Sequence, residues 1–180
     1  MKNAGLALLL ALLFPPLAGA TSAIRLTPEE LAKRANRVGE GEVVSVESEW
    51  SADGKRIISR VRLRMEANWK GEGEEVEIVV PGGTVGELTQ IVQGMPAFEE
   101  GEKVVVFLEK PAPQPGFRVV GLAQGKFRVA EVPEQGRFLL PSLEGLKLVD
   151  PLTGAEASPF VETPVPLEDF RRRILAPESK

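Results

Sequence analysis

The stretch of this chain most suggestive of chemistry runs from residue 74 to residue 96, EEVEIVVPGGTVGELTQIVQGMP: an apolar run, glycines at 82, 83 and 86, then a second apolar run. A strand that opens into a glycine-rich loop is the form of a phosphate cradle, because glycine lets backbone N–H groups close around an anion. Such a cradle also needs a Lys and a Ser or Thr entering a helix after its last glycine. Here Gly86 is followed by Glu87-Leu88-Thr89, which puts a carboxylate near the place of the cation. The glycines do not follow the G-x-G-x-x-G spacing either, and no alternation of strands and helices surrounds them to seat a dinucleotide. Two uses of the glycines remain: to bend or closely approach backbone, or to form a binding rim with Gly82, Gly83, Thr84 and Gln90 at the mouth of a barrel.

What the chain lacks restricts it further. It has no His, Cys or Tyr, so a Ser-His-Asp triad, a Cys-His pair and a His-based zinc site cannot be built from it. Ser, Thr, Lys and carboxylates leave a carboxylate-pair glycosidase or a Ser-Lys hydrolase as enzyme plans. No Ser-x-x-Lys occurs beyond residue 20, and the aromatics that a sugar cleft would stack on are only Trp50, Trp69 and scattered Phe. No catalysis, cofactor or bound metal is expected.

The N-terminus points to export. Lys2, the apolar run Leu6–Phe14, the break at Pro15-Pro16 and the small residues Ala18-Gly19-Ala20 have the form of a secretory signal peptide, expected over residues 1–20. The run is short for a bilayer span, so no stable membrane anchor is expected after cleavage. Without cysteine there is no lipid attachment and no disulfide, and a secreted or periplasmic core must hold by packing. The formal charge of −4 speaks against nucleic acid as a partner. Glu and Arg abound (23 and 13) while Asn and Gln are few (3 and 5), a thermophile-like bias.

These elements must position any site. Thr27-Pro28-Glu29-Glu30 is a capping box with proline at the first helical position, predicting a short helix over 28–37 with Leu31, Ala35 and Val38 on one side. The period then changes to two. In GEVVSVESEW, Val44, Val46, Ser48 and Trp50 are expected on the inner face. Asp53-Gly54 predicts a two-residue type I′ turn, which sets Trp50 opposite Ile57, Val46 opposite Val61, Val44 opposite Leu63 and Glu47 opposite Arg60. Arg60, Arg62 and Arg64 then form an outer row between Glu47 and Glu49 on one side and Glu75 and Glu77 on the other, a solvated ion-pair lattice. VVVFL (104–108) reads as a central, doubly buried strand, and FRVVGL, GKFRVAEV and residues 137–140 as further strands. Residues 150–166 are proline-rich and aperiodic. LEDFRRRILAP predicts a helix whose Leu167, Phe170, Ile174 and Leu175 either cap the barrel or dock a partner or membrane surface.

Residues 35–109 resemble the netrin-like domain of tissue inhibitors of metalloproteinases. The resemblance rests on a helix leading into GEVVSV, on WKG (Trp69-Lys70-Gly71) ending a long strand, and on FEEGEKVVVFL. The whole chain, with PGG, QIVQGMPAF and VVGLAQGKFRV, is similar to a group of small secreted bacterial proteins, some of them encoded near secreted zinc proteases. The resemblance implies an OB-type barrel and a secreted hydrolase as partner. It does not imply zinc chelation, which those inhibitors perform through an N-terminal cysteine absent from this chain.

The expected architecture is mainly β: an OB-like closed antiparallel β-barrel with an N-terminal capping helix, additional C-terminal strands and a short C-terminal helix. Residues 21–150 are expected to form the barrel and 151–180 a proline-rich strap with the helix. The expected work is binding another secreted or envelope protein, as companion or inhibitor of a secreted hydrolase, through Gly82, Gly83, Thr84, Gly86, Gln90, Gln93 and Pro96. The alternatives are a passive structural component of the cell envelope and, third, a carboxylate-based glycosidase.

Overall fold

A computed structural model describes residues 21–111 and 115–176. The expected signal peptide, 1–20, and part of the PAPQPG linker lie outside the described residues. In chain order the elements are β1 (Thr21–Ile24), α1 (Pro28–Arg34), β2 (Arg37–Trp50), β3 (Ile57–Lys70), β4 (Glu75–Pro81), β5 (Gly83–Val85), β6 (Leu88–Gln90), β7 (Lys103–Glu109) and β8 (Arg118–Val119). A 3-10 turn (Leu122–Gly125) follows, then β9 (Lys126–Val132), β10 (Gly136–Pro141), β11 (Leu146–Val149), β12 (Val165–Pro166) and α2 (Leu167–Leu175).

One large antiparallel sheet runs in the order β12-β10-β9-β7-β2-β3-β4, with β8 also on β7. Among the described residues the strand ladders do not close this path into a ring. A single parallel bridge ties the free edge of β4 to the residue that opens β8: Phe117 N–H donates to the Glu77 carbonyl and Val79 N–H to the Phe117 carbonyl, both at 2.8 Å. Beside the sheet, β1 pairs parallel with β11, a contact nothing in the sequence announced.

The Thr27–Glu30 capping box forms, with Thr27 N–H donating to Glu30 Oε2 at 2.8 Å and Glu30 N–H to Thr27 Oγ1 at 3.1 Å. The helix it starts is shorter than expected. Asn36 leaves it to join β7, its N–H donating to the Leu108 carbonyl at 2.7 Å, and Val38 is already a buried strand residue.

The β2–β3 hairpin has the expected register from Trp50–Ile57 to Ser45–Arg62. Its turn differs, because only Gly54 takes positive φ (+67°) and a type I′ turn needs two such residues. The chain instead reverses over a longer loop closed by Ser51 N–H donating to the Arg56 carbonyl at 2.7 Å. A bulge between Val43 and Ser45 then overturns the expected inner position of Val44. Val43 pairs with Leu63 and is 1% exposed, whereas Val44 is 38% exposed. The extra residue flips every side chain toward the strand's N-terminus to the opposite face. Further register shifts fall at Gly39 and Gly41, where a Cβ would lie 2.3 Å from the Ala67 carbonyl oxygen and 2.5 Å from that of Arg64. These two glycines let β3 press close while β2 coils.

The core divides at β7. Val104, Val106 and Leu108 face a cluster with Val43, Val61, Leu63 and Ile78, while Val105 and Phe107 face a second with Leu31, Trp69, Phe127 and Phe170. The five residues 104–108 of β7 are all 0% exposed, so the continuous apolar run is buried on both sides as its composition predicted. Phe170 brings α2 into the second cluster, 5.2 Å from the Phe127 ring centroid and 6.2 Å, edge-on, from that of Phe107. The apolar face of α2 is thus spent on the core, with Leu167 and Phe170 buried; only Leu175 at its end stays exposed. FRVVGL yields a strand of just two residues, because Gly121 and Leu122 both adopt left-handed backbone (φ +69° and +62°) and turn the chain out of the sheet. On the outer face Arg60 bridges Glu49 at 2.5 Å and Glu77 at 2.8 Å, and Arg64 bridges Glu42 at 3.1 Å, the lattice the register required.

The bulge and the buried carboxylate at Glu40 each have a measurable consequence. Val43→Ala should cost about 2 kcal/mol in urea unfolding, and Val44→Ala should stay within about 0.5 kcal/mol; equal costs would refute the bulge. Glu40, buried beside Arg137, has its carboxyl raised by burial, with Glu66 and Glu168 acting the same way and Arg137 and Lys103 opposing. Above the unfolded carboxylate pKa of roughly 4.3, the native state keeps a proton that the unfolded chain has released, so stability should fall as pH rises through Glu40's higher value. In Glu40→Gln, unfolding free energies measured against pH should lose that falling limb. Glu29 and Glu144, whose pKa values are lowered, change stability only below it.

Candidate functional site

At the end of β4 the chain leaves the sheet through Gly82, whose N–H still donates to the Ile57 carbonyl at 2.9 Å. Gly83 then crosses the face of the β2–β3 hairpin with φ +136°, and a Cβ there would stand 2.3 Å from Ser48 Oγ and 2.4 Å from Ser59 Oγ. No side chain fits, and L residues rarely take that backbone conformation. The stretch read from sequence as a glycine loop followed by a weak strand is therefore a small hairpin, β5–β6, folded back over the sheet. Its rungs are Gly83–Gln90, Thr84–Thr89 and Val85–Leu88, and Thr84 and Thr89 share a hydroxyl hydrogen bond of 2.9 Å. Gln90 Oε1 accepts the Ile57 N–H at 2.8 Å and pins the hairpin's base to β3.

Beneath the hairpin lies an open groove of about 390 Å³. Val46, Val61, Val80, Met95 and Phe98 give it apolar walls, and none of its lining residues is charged. Ser48 and Ser59 sit on its floor, 3.0 Å apart, and Ser59 Oγ donates to the Gly82 carbonyl at 2.8 Å. Ser59 has one proton to give, so the bond between the two serines is donated by Ser48. Neither hydroxyl is hydrogen-bonded to a carboxylate or an amine.

The wall formed by residues 95–98 is held from behind. Lys126, 3% exposed, donates to the Ala97 carbonyl at 2.6 Å and to both Glu102 oxygens at 2.7 and 2.8 Å, with its ammonium 4.9 Å from the Phe98 ring centroid. All three of its N–H groups are used, so this buried charge holds the wall and is not available to a ligand. Leu88 and Ile91 stand exposed on the hairpin at 60% and 77%, and Trp50 (45%) continues the β2 row of Val46 and Ser48.

Of the residues singled out from sequence, Gly82, Gly83, Thr84, Gln90 and Pro96 line this groove together. Gly86 is at the hairpin tip with nothing near its Cβ position, and Gln93 faces elsewhere, its carbonyl accepting from Thr21 Oγ1 at 2.9 Å. The sequence reading missed the floor and the far wall: Ser48, Ser59, Val46, Met95 and Phe98. One signal for the floor was available, since the hairpin register places Ser48 opposite Ser59, a polar pair in an otherwise apolar inner row.

Among the described residues, no group of three or more His, Cys, Asp or Glu side chains could hold a metal ion, and no helix is long and apolar enough to cross a membrane. No family model, curated protein or solved structure matches the chain.

The contact at Gly83 makes a quantitative prediction. Gly83→Ala should destabilise the protein by about 2 kcal/mol or more. Removing both hydroxyls (Ser48→Ala with Ser59→Ala) should recover part of that loss, giving a coupling above about 0.5 kcal/mol in a mutant cycle read by urea unfolding. Additive costs would mean that the hairpin does not rest on the serines.

Proposed function

We propose that this protein is a secreted, non-catalytic binding module whose groove beneath β5–β6 receives part of another protein. The observation that carries the reading is the use of Gly83, where no side chain fits, to hold a hairpin with exposed Leu88 and Ile91 over a neutral, largely apolar groove. On the outer face of β2–β4 the exposed charges form a lattice of ion pairs, and charges within a lattice of that kind are satisfied locally. Apolar side chains left in the open beside a preformed groove are the usual mark of a surface that a partner covers.

We read the coiled sheet as an OB-like barrel in which the Phe117 bridge between β4 and β8 takes the place of a full closing ladder. The resemblance to the netrin-like domain supports that reading and suggests a secreted hydrolase as partner, with residues 1–20 as the export signal.

Site-specific photo-crosslinking tests the function. A benzophenone side chain at Ile91 should give a discrete adduct with a partner in the native envelope or secreted fraction, whereas one at Leu152, 94% exposed and outside the groove, should give none. Leu88→Glu together with Ile91→Glu should weaken that complex at least about tenfold, roughly 1.4 kcal/mol, and leave folding stability within about 0.5 kcal/mol per substitution. Equal crosslinking from both positions, or none from either, would refute the groove as a binding site.

A further inference from the structure

The groove has a second property, in the backbone of β2. This strand pairs with β3 along its whole length, but with β7 only from Arg37 to Glu42. The turn at 99–102 then follows it as far as Val43, whose N–H donates to the Glu102 carbonyl at 2.9 Å and whose carbonyl accepts from Gly101 N–H at 2.8 Å. Beyond that point, among the described residues, no other strand is hydrogen-bonded to this edge of β2; β5 crosses the face of the strand at Ser48 without pairing with it. Ser51 N–H donates to the Arg56 carbonyl, so the alternation of an antiparallel ladder turns the backbone groups of Val46, Ser48 and Trp50 away from β3. Val46 N–H indeed meets only the side chain of Glu100, at 3.4 Å. The open edge therefore carries its N–H and C=O groups at Val46, Ser48 and Trp50, and Val46 and Ser48 also line the groove.

Resting on the binding function proposed above, we infer that the partner enters as an extended segment that adds a strand to β2 over Val46–Trp50, in line with β7. Main-chain hydrogen bonds would fix such a strand, and its alternate side chains would fall into the groove. The outer row states what the other side chains should be. Glu47 and Glu49 point outward here, 74% and 50% exposed, and on their β3 side they are matched by Arg62 and Arg60. A strand added on the opposite side meets the same two carboxylates, so it should alternate apolar residues with Lys or Arg. The same charges argue against a second copy of this chain. Antiparallel pairing of two β2 edges sets Glu47 against Glu47 or against Glu49, and like charges directly opposite destabilise a ladder.

The test uses the protein comprising residues 21–180 and an acetylated, amidated heptapeptide of alternating lysine and valine. On peptide binding, the amides of Val46, Ser48 and Trp50 should exchange at least about tenfold more slowly by residue-resolved NMR. The same peptide with glutamate for lysine should bind at least about tenfold more weakly. Backbone N-methylation of alternate residues should abolish binding in one of the two possible phases and spare it in the other, because only one phase faces β2. Equal tolerance of both phases would overturn strand addition and leave side-chain docking in the groove, and so the proposed function, standing. Absence of binding, equal binding of the glutamate peptide, or a concentration-dependent dimer lost in Ser48→Pro would each overturn the inference. Crosslinking from Ile91 reports on the function independently of all of these outcomes.

Discussion

β2 cannot lie flat, and the rest of the molecule follows from that. It is fourteen residues long and central to the sheet in its first half, yet among the described residues its second half is hydrogen-bonded to β3 alone of the strands. Three register shifts against β3 increase its twist, and the glycines at 39 and 41 admit the β3 carbonyls at distances that any side chain would forbid. A straight strand with the same pairing would present one face to one core throughout. The coiled one changes faces at Val43–Ser45, so that its first half is packed among strands while Val46 and Ser48 open into a groove.

The second half of β2 stays open because β7 is taken away from it. The turn at 99–102 is held by Glu102 against Lys126, and this pair is buried with the ammonium fully hydrogen-bonded. A buried pair of this kind adds little net stability, since the desolvation of both charges offsets most of their attraction, but an unpaired remnant would be costly. Its effect is therefore geometric. It directs residues 95–98 along the groove as a wall instead of letting the chain continue as a strand beside β2. Glu40 with Arg137 serves the fold in the same way at another point of β2, joining it to β10.

Without disulfides and with few aromatics, the chain obtains two cores from one sheet. β7 separates them, and its five consecutive apolar residues supply both. The aromatic side is closed by α1 and α2, which places the proline-rich C-terminal tail over the same core as the N-terminal helix: Val161, Leu167 and Phe170 pack with Leu31 and Phe107. The other side is closed by β4 and the residues before β7. The groove lies at the mouth of that second core, where Val46, half-buried, packs beside the buried Val61.

Much of the fold was legible in the sequence, and for one reason. The capping box, the Trp50–Ile57 register, the outer ion-pair row and the doubly buried VVVFL strand are set by residues close along the chain or by a strict period of two, and such patterns leave few alternatives. Five of the seven residues chosen for the site also meet in the groove, because a proline followed by paired glycines marks a place where backbone must do what side chains would prevent. The rest was decided by contacts between segments far apart. The bulge that exchanges Val43 for Val44 depends on the turn at 99–102 reaching Val43 from far along the chain, and no local pattern records it. The pairing of β1 with β11, the burial of Lys126 and the resting of Gly83 on two serines of another hairpin are likewise long-range. Sequence determined the capped helix, the lower half of the β2–β3 hairpin and the doubly buried β7; only the packed structure decided the minor strands, the face change at Val43 and where, among the described residues, β2 runs out of hydrogen-bonded neighbours, because a free edge is defined by what other segments of the chain do.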